Sequence, residues 1–148
     1  MAGVARAEVF DKDVFISYHR DDEELAAWVT NFFQPALEHS GISIWDHDDL
    51  GALKVDVRVA IQKSRYVIVL LTQAYLRHHF QEFTAAMAVT QAIEGQARRF
   101  IPILREQFVL PPDLAAFVAL DMTPPREMQF AKHMKQLIKR LKKPPDEL

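Results

Sequence analysis

Two kinds of apolar pattern alternate along this chain. Short, continuous, β-prone runs at residues 14–18, 42–45, 66–71, 100–104 and 118–120 predict five strands. The run Val67-Ile68-Val69-Leu70-Leu71 has no polar interruption, which suits a central strand covered on both faces. Between the strands the apolar positions change to a helical period. Leu25, Trp28, Val29, Phe32, Phe33, Ala36 and Leu37 fall on one predicted helical face, with Asp22 as its N-cap and Ser40-Gly41 as its stop. Residues 54–63 read as a short helix, 72–80 as a loop, and 81–94 as a helix ended by Gly95. Residues 126–142 predict a last helix with Phe130, Met134, Leu137, Ile138 and Leu141 inward.

Strictly alternating strands and helices predict an α/β fold, a parallel sheet wrapped by helices on both faces. For five strands the doubly wound, flavodoxin-like order 2-1-3-4-5 is expected. Residues 1–12 read as a lead-in, 13–143 as one domain, and 144–148 as a tail after Pro144-Pro145. At 148 residues and 49% hydrophobic, the chain is long enough for a complete core. The net charge of −2 gives no reason to expect broad nucleic-acid binding. With no cysteine, a disulfide framework and a thiolate zinc site are excluded, and no apolar run reaches the roughly 20 residues of a membrane span. The expected location is cytoplasmic.

The chemistry-bearing residues gather after the first strand. Ser17, Tyr18, His19, Arg20, Asp21 and Asp22 follow an apolar run at the carboxyl end of a strand, where open α/β sheets bind ligands. Tyr18 is an aromatic surface for a base or nicotinamide ring, and Arg20 a fork for phosphate. Trp45 offers either a pocket wall or a core ring. Asp46, Asp48 and Asp49 invite a comparison with phosphoacceptor receivers. Thr72-Gln73 follows the third strand, however, where that chemistry needs an aspartate. His78, His79 and Glu82 form too small a set for a metal site, and no metal is expected. The cations from Lys132 to Lys143 read as a solvated helix face.

Four patches, in order, resemble the TIR (Toll/interleukin receptor) domain family. They are Val14-Phe15-Ile16-Ser17-Tyr18; Gly41-Ile42-Ser43-Ile44-Trp45-Asp46 with Asp48-Asp49-Leu50-Gly51; Ser64-Arg65-Tyr66-Val67-Ile68-Val69-Leu70-Leu71-Thr72; and Phe100-Ile101-Pro102-Ile103-Leu104. The resemblance spans about residues 13–141. It implies two alternatives: a domain that cleaves NAD⁺ at the nicotinamide–ribose bond when self-associated, or a non-catalytic scaffold for TIR–TIR contacts. In either case the setting is immune or cell-death signalling. NAD⁺ would be a substrate, and no cofactor is implied. The implied ligand contacts are Ser17, Tyr18, Arg20, Trp45 and Asp46. The implied interaction loop holds Asp48, Asp49, Leu50 and Gly51, where Leu50-Gly51 replaces the family's usual P-G.

Catalytic members carry S-x-W-C-x-x-E after the third strand. An ungapped count from Thr72 sets Thr84 at the glutamate position; a loop two residues shorter sets Glu82 there. Glu82-Phe83 followed by Ala86 resembles the family's E-L-x-x-A, so Glu82 is the implied catalytic residue.

Overall fold

A computed structural model describes residues 12–45, 64–79, 81, 100–115, 118, 120–123 and 129–143. Four parallel strands form its sheet in the order β1 (Lys12–Ser17), β2 (Ser64–Leu71), β3 (Phe100–Leu104) and β4 (Leu120–Asp121). The expected second strand is reduced to one parallel bridge, Val14 to Ile44. There the Val14 N–H donates to the Ser43 carbonyl and the Trp45 N–H to the Val14 carbonyl, both at 3.0 Å. With β2 on its other side, β1 therefore lies between residue 44 and β2, as the order 2-1-3-4-5 requires.

Alternation along each strand sorts the side chains into two cores. Val14, Ile16, Tyr18, Tyr66, Ile68, Leu70, Ile101 and Ile103 face one way, toward the helices α1 (Glu23–Trp28), α2 (Gln34–His39) and α5 (Phe130–Leu141). Phe15, Val67, Val69, Leu71 and Phe100 face the other, toward Tyr75 and Leu76 of α3, a helix over residues 73–79. β2 is thus buried on both faces, as its unbroken apolar run required. A four-residue helix, α4 (Pro112–Ala115), precedes β4.

The Asp22 cap is in place: its Oδ1 accepts from the Leu25 N–H at 3.1 Å, and Glu23 and Glu24 follow in the first turn. Asp22→Ala should lower stability by about 1 kcal/mol, read as a shifted urea midpoint; an unchanged midpoint would mean the cap is dispensable. The far end is a Schellman motif. Gly41 adopts φ +85°, its N–H donates to the Glu38 carbonyl, and the Ile42 N–H donates to the Leu37 carbonyl.

Between these ends the helix departs from expectation. Residues Val29–Phe33 form a π-helical turn between α1 and α2. Its physical cause is Pro35, which has no N–H to donate and whose ring crowds the preceding turn. The buried residues Leu25, Val29, Phe33 and Leu37 recur every fourth position. An α-helix would rotate that series steadily away from the core, and the wider π turn rotates it back. Phe32, expected on the inner face, is instead 59% exposed.

Two further boundaries move. The expected loop over 72–80 is helical from Gln73, because Thr72 caps it. The Tyr75 N–H donates to Thr72 Oγ1 at 3.0 Å, and the Gln73 N–H to Glu106 Oε2 at 2.9 Å. The last strand falls at Leu120–Asp121, not 118–120. The expectations for residues 46–63 and 82–99 lie outside the described residues, apart from the start of the expected 81–94 helix, where Gln81 is helical.

Candidate functional site

Asp13 fixes the amino edge of the sheet. Its N–H donates to Ser43 Oγ at 2.9 Å, its Oδ2 accepts from the Ser43 N–H at 3.0 Å, and its Oδ1 meets Arg65 Nη1 at 3.2 Å. The residues of chemical interest lie at the opposite, carboxyl edge.

There, strand alternation separates residues that are neighbours in sequence. Ser17 turns toward α3, where its Oγ lies 2.8 Å from the Tyr75 hydroxyl. His19 follows on the same side. Its Nδ1 is 3.1 Å from His79 Nε2, and its ring stacks on His78 at 4.6 Å between centroids. Tyr75 and His79 are 5.1 Å apart, ring to ring, as i, i+4 neighbours on α3. Trp45 packs against the same core cluster as Tyr75. Its indole Nε1 is buried with no hydrogen-bond partner among the described residues. Ser17, His19, Tyr75 and His79 therefore share one face of the carboxyl edge; Trp45 lies on the same face of the sheet, next to Val14 of β1.

Tyr18 points the other way, into the core with α1 and α5, and is only 9% exposed. Burial pushes its phenol pKa up, against a smaller opposing effect of the Arg20 charge. A ring so placed presents little surface for stacking a base. Arg20 is exposed. Asp46, Asp48, Asp49, Leu50, Gly51, Glu82 and Thr84 lie outside the described residues.

A cleft of about 210 Å³ opens over the carboxyl ends of β1 to β3, between Asp22, Glu24, Leu25, Thr72, Arg105 and Glu106. Most of its polar groups already hold the fold. Asp22 and Thr72 cap helices, and Glu106 accepts from the start of α3. Arg105 donates to the Met122 carbonyl at 2.7 Å and lies 4.1 Å from the Trp28 ring centroid. Among the described residues no three histidine, aspartate or glutamate side chains converge as metal ligands do. The His19, His78 and His79 rings stack and hydrogen-bond with one another instead.

Sequence reasoning singled out Ser17 and Trp45 but missed Tyr75, and it weighed His78 and His79 only as metal ligands, a reading it set aside. The available signal was Thr72 as a cap. Read as helical, residues 73–79 set Tyr75 and His79 on one face, beside the end of β1.

The fold agrees with comparison to known proteins. The TIR domain family model matches residues 14–138. The chain belongs to the TIR domain family. That family is one of signalling and TIR–TIR interaction domains. Among solved structures, the TIR domain of the Toll-related receptor TRR-2 from Hydra magnipapillata is similar at TM-score 0.65 and 20% identity, over 89% of this chain and 99% of that one. A metazoan TIR-STING receptor from C. gigas, solved in complex with 2′,3′-cGAMP, is similar at TM-score 0.66 and 21% identity. That match covers 91% of this chain and 40% of the receptor. Another structure of a C. gigas TIR-STING receptor gives TM-score 0.59 at 21% identity. At these identities the likeness is one of fold. No curated protein sequence matches the chain significantly. Among the described residues, no helix of this TIR domain is long and apolar enough to cross a membrane.

Proposed function

We propose that this TIR domain acts in cytoplasmic signalling of the immune or cell-death type, binding NAD⁺ at the carboxyl edge of its sheet and cleaving it there when self-associated. The observation that carries the reading is the one-sided polar wall of Ser17, Tyr75, His19 and His79. On the same face of the sheet, Trp45 has a buried indole N–H with no partner among the described residues. A carbonyl or phosphate oxygen is the acceptor such a donor lacks. Arg20, exposed at the same edge, suits a phosphate.

Cleavage breaks the bond between the nicotinamide nitrogen and ribose C1′. The bonding pair leaves with nicotinamide, which departs neutral because it began cationic. Positive charge grows on the ribose, and a carboxylate held nearby stabilises it. Glu82 takes that role in this reading, with Asp46 contributing to the ligand contacts. Water adding at C1′ and losing a proton gives linear ADP-ribose; attack by an adenine nitrogen gives the cyclic product. No metal is needed.

A second reading, the non-catalytic scaffold, is favoured by two observations. The Ser17 hydroxyl is already engaged with Tyr75, and Tyr18 belongs to the core. In that reading the loop with Asp48, Asp49, Leu50 and Gly51 makes the homotypic contact. The deciding experiment is nicotinamide release from NAD⁺ by the purified chain, free and clustered on beads. Release that rises with clustering supports catalysis. A clustered chain that self-associates yet releases none is a scaffold.

A further inference from the structure

Helix α5 carries cations where helix physics disfavours them. Lys132, Lys135, Lys139, Lys142 and Lys143 are all exposed. Their three- and four-residue spacing sets them in one stripe, opposite the buried Met134, Leu137 and Leu141. α5 contains no carboxylate, so every neighbour along the stripe is a like charge, an arrangement that destabilises a helix. Cations near the helix end suit the macrodipole, but Lys132 lies in the first turn, which holds no acidic residue. A solvated face does not need these features; an anionic partner does.

The carboxyl end of the stripe is tied to the sheet. The Tyr66 hydroxyl donates to the carbonyls of Arg140 at 3.1 Å and Lys143 at 2.7 Å, and Arg65 Nη2 donates to the Lys143 carbonyl at 3.1 Å. Arg65 and Tyr66 begin β2, so Lys142 and Lys143 lie at the amino edge of the sheet.

The rest of the chain has the opposite sign. Six cations and no carboxylate lie between Lys132 and Lys143. Of 18 cations and 20 carboxylates in all, that leaves 12 against 20 elsewhere, a balance of −8. The longest unbroken acidic run is Asp21-Asp22-Glu23-Glu24, in which Asp21, Glu23 and Glu24 are exposed. It follows β1, at the carboxyl edge. The acidic run thus lies at the carboxyl edge, while the stripe reaches the amino edge at Lys142 and Lys143.

We propose that a second copy of this chain seats its acidic run, Asp21, Glu23 and Glu24, on the lysine stripe of α5. Each copy offers both surfaces at different places, so the contact is heterologous and open-ended, and repeating it builds a chain of molecules. The inference rests on the self-association in the reading above and gives it a surface separate from the loop at 46–53. Exposed ion pairs are individually weak, so the contact needs several at once and is screened by salt.

The test is sedimentation velocity of the full chain over a concentration series, at about 50 mM and about 500 mM NaCl. Wild type should associate at low salt, at least tenfold more weakly at high salt. Lys135→Glu/Lys139→Glu and Glu23→Lys/Glu24→Lys should each stay monomeric, because each sets like charges against one another at the centre of its own contact. Mixed in equal amounts they should associate as wild type does, since every contact in an alternating chain again joins opposite charges. A misfolded variant would not show that recovery. Wild type that is monomeric at both salts, variants that assemble like wild type, or a mixture that stays monomeric would each overturn the contact. Monomeric wild type that pellets with phosphatidylserine vesicles would assign the stripe to a membrane instead. Nicotinamide release by bead-clustered wild type separates the two ideas. Release there, with no recovery in the mixture, discards the contact and keeps catalysis; recovery in the mixture with no release by wild type does the reverse.

Discussion

Glu82→Ala is expected to lower nicotinamide release from NAD⁺ by about 10²–10³-fold, the usual loss for one well-placed electrostatic group at a developing charge. The melting temperature should stay close to that of wild type, and that pairing separates a catalytic carboxylate from a structural one. The measurement is turnover by bead-clustered protein, with thermal unfolding of the same preparations. Loss in Thr84→Ala with full turnover in Glu82→Ala would show that the ungapped register applies. A decrease in both activity and melting temperature would assign Glu82 to the fold. If wild type releases no nicotinamide in any form, the scaffold reading stands, and neither substitution has a turnover effect to show.

The largest expected stability effect belongs to Phe33. It is fully buried in the π-helical turn and stacks on Trp28 at 5.0 Å, and Trp28 in turn meets Phe130 of α5 edge-on. Removing that ring leaves a cavity among aromatics, so Phe33→Ala should cost about 3–5 kcal/mol. That is a large part of the roughly 5–15 kcal/mol that holds a domain of this size. The adjacent Phe32 is 59% exposed, and Phe32→Ala should change stability by no more than about 0.5 kcal/mol. Urea unfolding of both variants tests the direction of the turn as well as the cavity. Equal losses would mean that 29–33 is an ordinary α-helical turn with both rings inward.

The contrast between Phe32 and Phe33 shows what the sequence conveyed and where it failed. β1 to β3 were legible because their central residues are buried on both faces and so appear as unbroken apolar runs; the whole of β3 was read from five residues. The helix ends were legible because Asp22 and Gly41 are chemically specific signals. The π turn was not legible from apolar periodicity, since a fixed α-helical period counts Phe32 and Phe33 alike. Pro35 was the clue, and it acts on the turn before it. The helix at 73–79 was missed because Thr72 caps it without an acidic first turn, and because a partner for its first N–H comes from Glu106, across the sheet. At the site, composition placed Ser17, Tyr18 and Arg20 together, but alternation turned Ser17 and Tyr18 to opposite faces. Tyr75 joined Ser17 from 58 residues away, a pairing visible only after folding.

Every strand pairing in this sheet joins distant parts of the chain: Lys12 with Ser64, Val67 with Phe100, Ile103 with Leu120. None is a hairpin. Each therefore closes a long loop before its first hydrogen bond forms, and the loss of chain entropy precedes the gain in contacts. β2 has to find β1 and β3 as separate events, and until both arrive its apolar edges stay open to other chains. The barrier to refolding should accordingly reside in docking this strand. Stopped-flow refolding of Ile68→Val should then be slowed, with little change in the unfolding rate, whereas the reverse would place the strand's docking after the barrier. A newly made chain would be most prone to aggregate in the interval before that strand is enclosed.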